Sequence, residues 1–144
     1  MKTRTPFPVV AAALVLLAGC GTDSPAPAAA APTTAAGVGK VTVASDGVQE
    51  ITLQTQDDYV FTPDAFTVDP GPVRLTVVNV AEHTTHNFRF TPDEGPAPID
   101  VEIDLLTPGQ EKTIEFEVPE PGDYPFECSF HVQLNQVGTM TVRG

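Results

Sequence analysis

The sequence predicts an all-β fold, an antiparallel sandwich or barrel of about eight short strands, over residues 41–144. Three observations point there. Apolar residues recur at every second position in several short runs, as in Ile114-Glu115-Phe116-Glu117-Val118. Turn signals separate the runs at Pro70-Gly71, Pro108-Gly109 and Pro121-Gly122. No stretch sustains a helical period over three turns. The chain has no Trp, so its core must rest on Phe, Val, Ile and Leu. A domain of about 100 residues can bury enough of these without disulfides.

Taken in order, the strands begin with Val41-Thr42-Val43. Val48, Ile51 and Leu53 follow in a partly alternating stretch up to Gln56, and Tyr59-Val60-Phe61 stops at Pro63. Ala65 to Val68 is a short run closed by Asp69-Pro70-Gly71. From Val73 to Val80, Val73, Leu75 and Val77 alternate against Arg74, Thr76 and Val78. Phe88 and Phe90 alternate with Asn87 and Arg89, and Val101, Ile103 and Leu105 with Glu102 and Asp104. Ile114, Phe116 and Val118 give the next strand; Tyr124, Phe126 and Cys128 share one face of the one after; Val137 to Val142 closes the chain. Period-two patterning with polar residues opposite is the signature of half-buried strands.

The N-terminus reads differently. Lys2 and Arg4 precede an apolar run, Val9 to Leu17, and Leu17-Ala18-Gly19-Cys20 places small residues directly before a cysteine. Residues 1–19 are therefore expected to be a secretory signal, too short for a spanning helix. The small residues before Cys20 resemble the lipobox of bacterial lipoproteins, which implies lipidation of Cys20 and a domain anchored at the outer face of the cell membrane, on the periplasmic or extracellular side. Residues 20–40, rich in Ala, Pro and Thr, are expected to form a semi-extended linker. If Cys20 carries lipid, Cys128 is a lone thiol in an oxidising compartment, a liability unless a metal occupies it.

Charge narrows the partners. The chain has 7 basic and 19 acidic residues, a net charge of −12. Removing the signal takes away Lys2 and Arg4 and no acidic residue, so 5 − 19 gives −14. Such a polyanion is repelled by nucleic acid and by anionic lipid heads and favours a partner protein with a basic face, although the same charge also serves solubility alone.

The stretch Cys128-Ser129-Phe130-His131-Val132-Gln133-Leu134-Asn135-Gln136 holds a thiol and an imidazole three residues apart, with an amide five further on. His86 opens His86-Asn87-Phe88-Arg89-Phe90 upstream and can reach the same end of a sandwich. One thiolate, two imidazoles and a weak axial Met, Gln or backbone oxygen form the donor set of a trigonal copper site, although zinc also accepts Cys and His. His83, three residues before His86, is the competing imidazole.

At these residues the chain resembles the cupredoxin, or blue-copper, family, and within it the plastocyanin-like proteins. Tyr124-Pro125-Phe126-Glu127-Cys128-Ser129-Phe130-His131 is similar to that family's Y-x-F-x-C-x-x-H, His86-Asn87-Phe88 to its upstream histidine motif, and Gln136 to Val142 to its closing strand. The resemblance implies a Greek-key cupredoxin sandwich. It further implies one copper per chain, cycling between Cu(I) and Cu(II) on His86, Cys128 and His131, and Asn87 tying the two ligand loops together. The family's axial methionine position is Gln136 here, as in stellacyanin-like members with an axial glutamine. Met140 falls on the closing strand, where a core role is expected, and a backbone carbonyl remains the other candidate. Phe130, Val132 and Leu134 surround His131 as an apolar rim on which a redox partner would dock.

The reading is a monomeric, membrane-tethered one-electron carrier. A copper-trafficking or storage lipoprotein and a metal-free binding module are the alternatives; the absence of Met- or His-rich tracts weakens the former, and the complete Cys/His/His set weakens the latter. An enzyme is not expected, since one mononuclear site with four ligands leaves no open position for substrate.

Overall fold

The computed structural model describes residues 36–144. The expected signal, the expected lipidation site Cys20 and most of the expected linker lie outside the described residues. The last few residues assigned to the linker do contact the body: Val38 bridges Thr52, and the Gly39 N–H donates to the Thr52 carbonyl at 2.9 Å.

Among the described residues, ten strands form two five-stranded sheets. The first sheet contains β1 (Thr42–Val43), β2 (Gln49–Thr55), β5 (Gly71–Asn79) and β8 (Glu111–Val118) in that spatial order, with β3 (Phe61–Thr62) also paired to β2. The second contains β4 (Ala65–Val68), β10 (Val137–Val142), β9 (Gly122–Glu127), β6 (His86–Phe90) and β7 (Glu102–Leu106). The all-β sandwich is as expected, with two refinements. The strand total exceeds eight because β1 and β3 are two-residue pairings at the sheet margins. The sheets are mixed: β2 runs parallel to β5, and β10 runs parallel to β4. Alternation reports burial of one face, which is the same for either strand direction.

The core lies between the sheets. Leu53, Val68, Leu75, Val77, Phe88, Leu106, Val118, Phe126 and Met140 are wholly buried. Phe88 and Phe126 sit at its centre, with ring centroids 5.2 Å apart, and Phe61 meets both edge-on at 5.9 and 5.4 Å. Edge-to-face contacts let the quadrupoles of adjacent rings attract. Gly138 is fixed by this packing: a Cβ there would run into the Phe126 ring and the Asp64 carbonyl.

One strand departs from the alternating pattern. Ile103 is buried as expected, but Leu105 is exposed and Leu106 points inward. Between the pairs His86–Leu106 and Phe88–Ile103, β6 advances two residues and β7 three. The extra residue is a β-bulge, which turns consecutive side chains Asp104 and Leu105 outward. The same bulge lies directly beside His86.

Candidate metal centre

Three side chains that can ligate a metal converge at one pole of the sandwich. His86 opens β6 and is fully buried; Cys128, also fully buried, immediately follows β9; His131 lies on the loop between β9 and β10 and is half-buried. One donor atom from each lies within 4.8 Å of the others. The Cys128 Sγ stands 3.9 Å from His86 Nδ1 and 3.4 Å from His131 Nδ1.

Local structure explains the convergence. Tyr124, Phe126 and Cys128 alternate inward, so the strand delivers the thiol to the core side. The His131 N–H donates back to the Cys128 carbonyl at 3.0 Å, closing a turn that brings the imidazole over the sulfur. A single 3-10 turn, Val132–Leu134, then ends at Asn135 in the left-handed region at φ 64°, a conformation Asn tolerates. That reversal points Gln136 inward, fully buried, and its carbonyl accepts the Cys128 N–H at 3.0 Å.

Gln136 is oriented from behind. Its Nε2 donates to Thr55 Oγ1 at 2.7 Å, at the end of β2. This turns Oε1 toward the imidazoles, 2.9 Å from His86 Nδ1 and 3.1 Å from His131 Nδ1. His86 Nε2 contacts the Gln56 carbonyl at 2.9 Å. Both oxygens can only accept, so when Nδ1 serves as a metal ligand the ring proton sits on Nε2, donated to the Gln56 carbonyl, and Nδ1 offers its lone pair. Burial holds the His86 imidazole below its ordinary pKa, against the opposing pull of Gln136 and Gln56. In that tautomer, and with Cys128 as the thiolate, sulfur, imidazole nitrogen and amide oxygen face one another as acceptors, a donor set that fits a bound cation with soft and intermediate preferences.

Asn87 joins the two ligand segments. Its Nδ2 donates to Ser129 Oγ and its Oδ1 accepts the Ser129 N–H, both at 2.7 Å. Its own backbone N–H points at the Cys128 Sγ, 3.5 Å away. The other sequence candidates separate cleanly. His83 is exposed, 3.8 Å from the Glu82 carboxylate and outside the cluster. Met140 is buried in the core, in register with Tyr124 and Phe66. Phe130 and Leu134 are half exposed, and Val132 is half-buried.

Sequence reasoning missed the segment between β2 and β3. Gln56 supplies the carbonyl under His86, and Tyr59 lies against His131 with ring centroids 4.8 Å apart. Asp57 accepts the N–H groups of Glu82 and Thr84 at 2.7 and 2.9 Å and the Thr84 hydroxyl. The Thr84 hydroxyl, followed by the Glu82 N–H, lowers the pKa of the Asp57 carboxyl to about 2. No spacing rule announces these contacts. The positive φ of Tyr59, 58°, becomes visible only in the fold.

Fold and site together define a β-sandwich with a Cys/His/His cluster able to hold a metal and closed on one side by a buried amide. A family profile described as a cupredoxin-like domain matches residues 10–142. The chain belongs to the cupredoxin family, and its His86, Cys128 and His131 cluster fits that family's single copper site. It is 33% identical over 119 residues to the Plastocyanin minor isoform, chloroplastic, of Arabidopsis thaliana, covering 78% of this chain and 67% of that one. It is 36% identical over 88 residues to the major isoform of the same plant, covering 57% of this chain and 51% of the relative. The chain thus spans between half and two thirds of the length of these two relatives. Among solved structures, dithionite-reduced auracyanin from the photosynthetic bacterium Roseiflexus castenholzii matches with a TM-score of 0.58 and 25% identity, over 66% of this chain and 97% of that one.

Proposed function

We propose that the protein is a one-electron carrier whose single copper is held by His86, Cys128 and His131, with the Gln136 amide oxygen as the fourth donor. The observation that carries the reading is the convergence of these four donor atoms at one pole, with His86, Cys128 and Gln136 each contacted by a hydrogen-bond partner outside the cluster. Bound copper supplies a one-electron change between Cu(I) and Cu(II). The chain's own residues do the rest. Thr55 orients Gln136, the Gln56 carbonyl sets the His86 tautomer, and the Asn87–Ser129 bridge fixes the distance between the strands that carry His86 and Cys128. Donors held this way keep their places when charge changes, which is what rapid electron exchange requires. Burial of Cys128 and His86 excludes water.

His131 is the donor that reaches the surface. Phe130 and Leu134, 51% and 56% exposed, flank it as an apolar docking rim. Asp57, Asp58 and Glu82 are exposed on the two loops beside the pole, so a partner with a basic or apolar face fits this end. Lipid on Cys20 would tether the carrier to a membrane through the residues that precede the domain. Among the described residues no helix is long and apolar enough to cross a membrane.

The test is the visible spectrum of the chain loaded with Cu(II). An intense thiolate-to-copper band that disappears in Cys128→Ser is expected for the trigonal site. A chain that takes up zinc tightly and gives no such band with Cu(II) would overturn the reading. Fast electron self-exchange separates a carrier from a copper-delivery protein, which would instead pass its copper to an apo partner.

A further inference from the structure

The segment between β2 and β3 touches both imidazoles from residues that no ligand motif includes. Gln56 holds His86 through its carbonyl, at 2.9 Å from Nε2. Asp57 grips the backbone that leads into His86, accepting from the N–H groups of Glu82, His83 and Thr84 and from the Thr84 hydroxyl. Tyr59 then places its ring 4.8 Å from the His131 ring, at an interplanar angle of 54°. A bulky residue in the left-handed region is a backbone outlier, and Tyr59 has φ 58°. Asp58 keeps it there by accepting the Val60 N–H at 3.1 Å, which closes a turn around Tyr59. Glycine would take this conformation without strain. Tyrosine in that place makes structural sense through what its ring covers, and strain retained beside a site points to a positional task.

We propose that Gln56–Tyr59 is a strap that positions both imidazoles of the copper centre, with Tyr59 as the positioning residue for His131. The inference rests on the copper reading above. His131 sits on a loop rather than in a strand, and its imidazole can turn about its side-chain torsions unless a neighbour blocks the swing. Phe130 meets the ring only edge-on, with centroids 6.4 Å apart. Tyr59 is the closer aromatic neighbour and reaches it from a different part of the chain. The strap is anchored by Asp57, so the two histidines are held from one short segment.

The experiment uses the full chain, with Cu(II) as the probe and EDTA as the acceptor. Tyr59→Gly removes the ring and relieves the backbone; Tyr59→Phe keeps the ring and deletes only the hydroxyl. For Tyr59→Gly, Cu(II) release is expected to quicken about tenfold or more, the scale of lost positioning contacts at metal sites. Its Cu(II) electron paramagnetic resonance should also shift. The urea midpoint of metal-free Tyr59→Gly should be unchanged or higher, and Tyr59→Phe should follow the parent in every measurement. Tyr59→Gly matching the parent in release and resonance would overturn the proposal. So would release that quickens only in step with a loss of metal-free stability, or a Tyr59→Phe variant that behaves as Tyr59→Gly does. If the parent chain takes up no Cu(II), the copper reading falls and the strap with it. That outcome is distinct from a parent that binds and a Tyr59→Gly that matches it.

Discussion

Replacing Asn87 by Ala should loosen the pole while leaving the core intact. The side chain makes two hydrogen bonds of 2.7 Å to Ser129 and is 6% exposed. Each bond contributes about 1 kcal/mol net, and a donor left unpaired at a partly buried position costs about 1–3 kcal/mol. The Ser129 N–H is such a donor, so the loss should total about 2–4 kcal/mol. The described body has about 110 residues, and unfolding entropy of about 2.1 cal/mol/K per residue gives roughly 0.23 kcal/mol/K. The melting point of the metal-free protein should therefore fall by about 9–17 °C. Urea unfolding of the metal-free chain measures the change, with an unchanged slope showing that the unfolded ensemble is the same. A cycle with Ser129→Ala isolates the hydroxyl half of the bridge, for which a coupling of about 1 kcal/mol is expected. A loss below about 0.5 kcal/mol, within the range of neutral surface changes, would refute the bridge as a structural tie. Additivity within about 0.3 kcal/mol in the cycle would show that the two side chains do not work together.

Three further outcomes are expected. Gln136→Met replaces a hard amide oxygen by a thioether, which disfavours Cu(II), so the reduction potential should rise by about 59 mV for each tenfold change in relative affinity of the two oxidation states; voltammetry showing an unchanged potential and spectrum would remove Gln136 from the centre. Asp57, with its pKa lowered from 3.8 to about 2, contributes stability that is fully present above pH 3.8 and is lost as pH falls through about 2; NMR titration of the Thr84 amide should show that low midpoint, and a midpoint near 3.8 would dissociate Asp57 from the loop before His86. Gly138→Ala should destabilise the domain by about 1–3 kcal/mol through overpacking against Phe126 and the Asp64 carbonyl, and denaturation that leaves stability unchanged would show that β10 can shift.

How much of this was legible in the chain depended on the kind of force involved. Alternation in Ile114-Glu115-Phe116 or Tyr124-Pro125-Phe126 reports burial, and burial made these strands. The same signal misassigned Leu105, because a bulge beside His86 changes the register without leaving a mark in the hydrophobic pattern. Parallel pairing of β2 with β5 and of β4 with β10 was equally silent, since strand direction does not alter which side chains face inward. His86, Cys128, His131, Gln136 and Asn87 could be picked out by residue type and spacing. Thr55, Gln56, Asp57 and Tyr59 could not: their partners lie 81, 30, 27 and 72 positions away in the chain, and each is an ordinary polar or aromatic residue until the fold brings it there.

This division has a physical consequence for the site. The core is held by non-directional burial, which tolerates small adjustments of each side chain. The pole is held by directional contacts: Thr55 on Gln136, Gln56 on His86, Asn87 on Ser129 and Asp57 on the loop before His86. Three of those four anchors, Thr55, Gln56 and Asp57, are consecutive residues where β2 ends. The sheet that contributes none of the Cys/His/His donors therefore supplies much of their alignment. The proposed carrier role needs donors that do not move when the charge at the centre changes, and residues on a separate sheet can enforce that only if the two sheets are rigid with respect to each other. The Phe61, Phe88 and Phe126 contacts across the core meet that requirement. A cavity there, as in Phe61→Ala, should register at the copper centre as well as in stability, because β3 and the strap that precedes it would lose their seat against the opposite sheet.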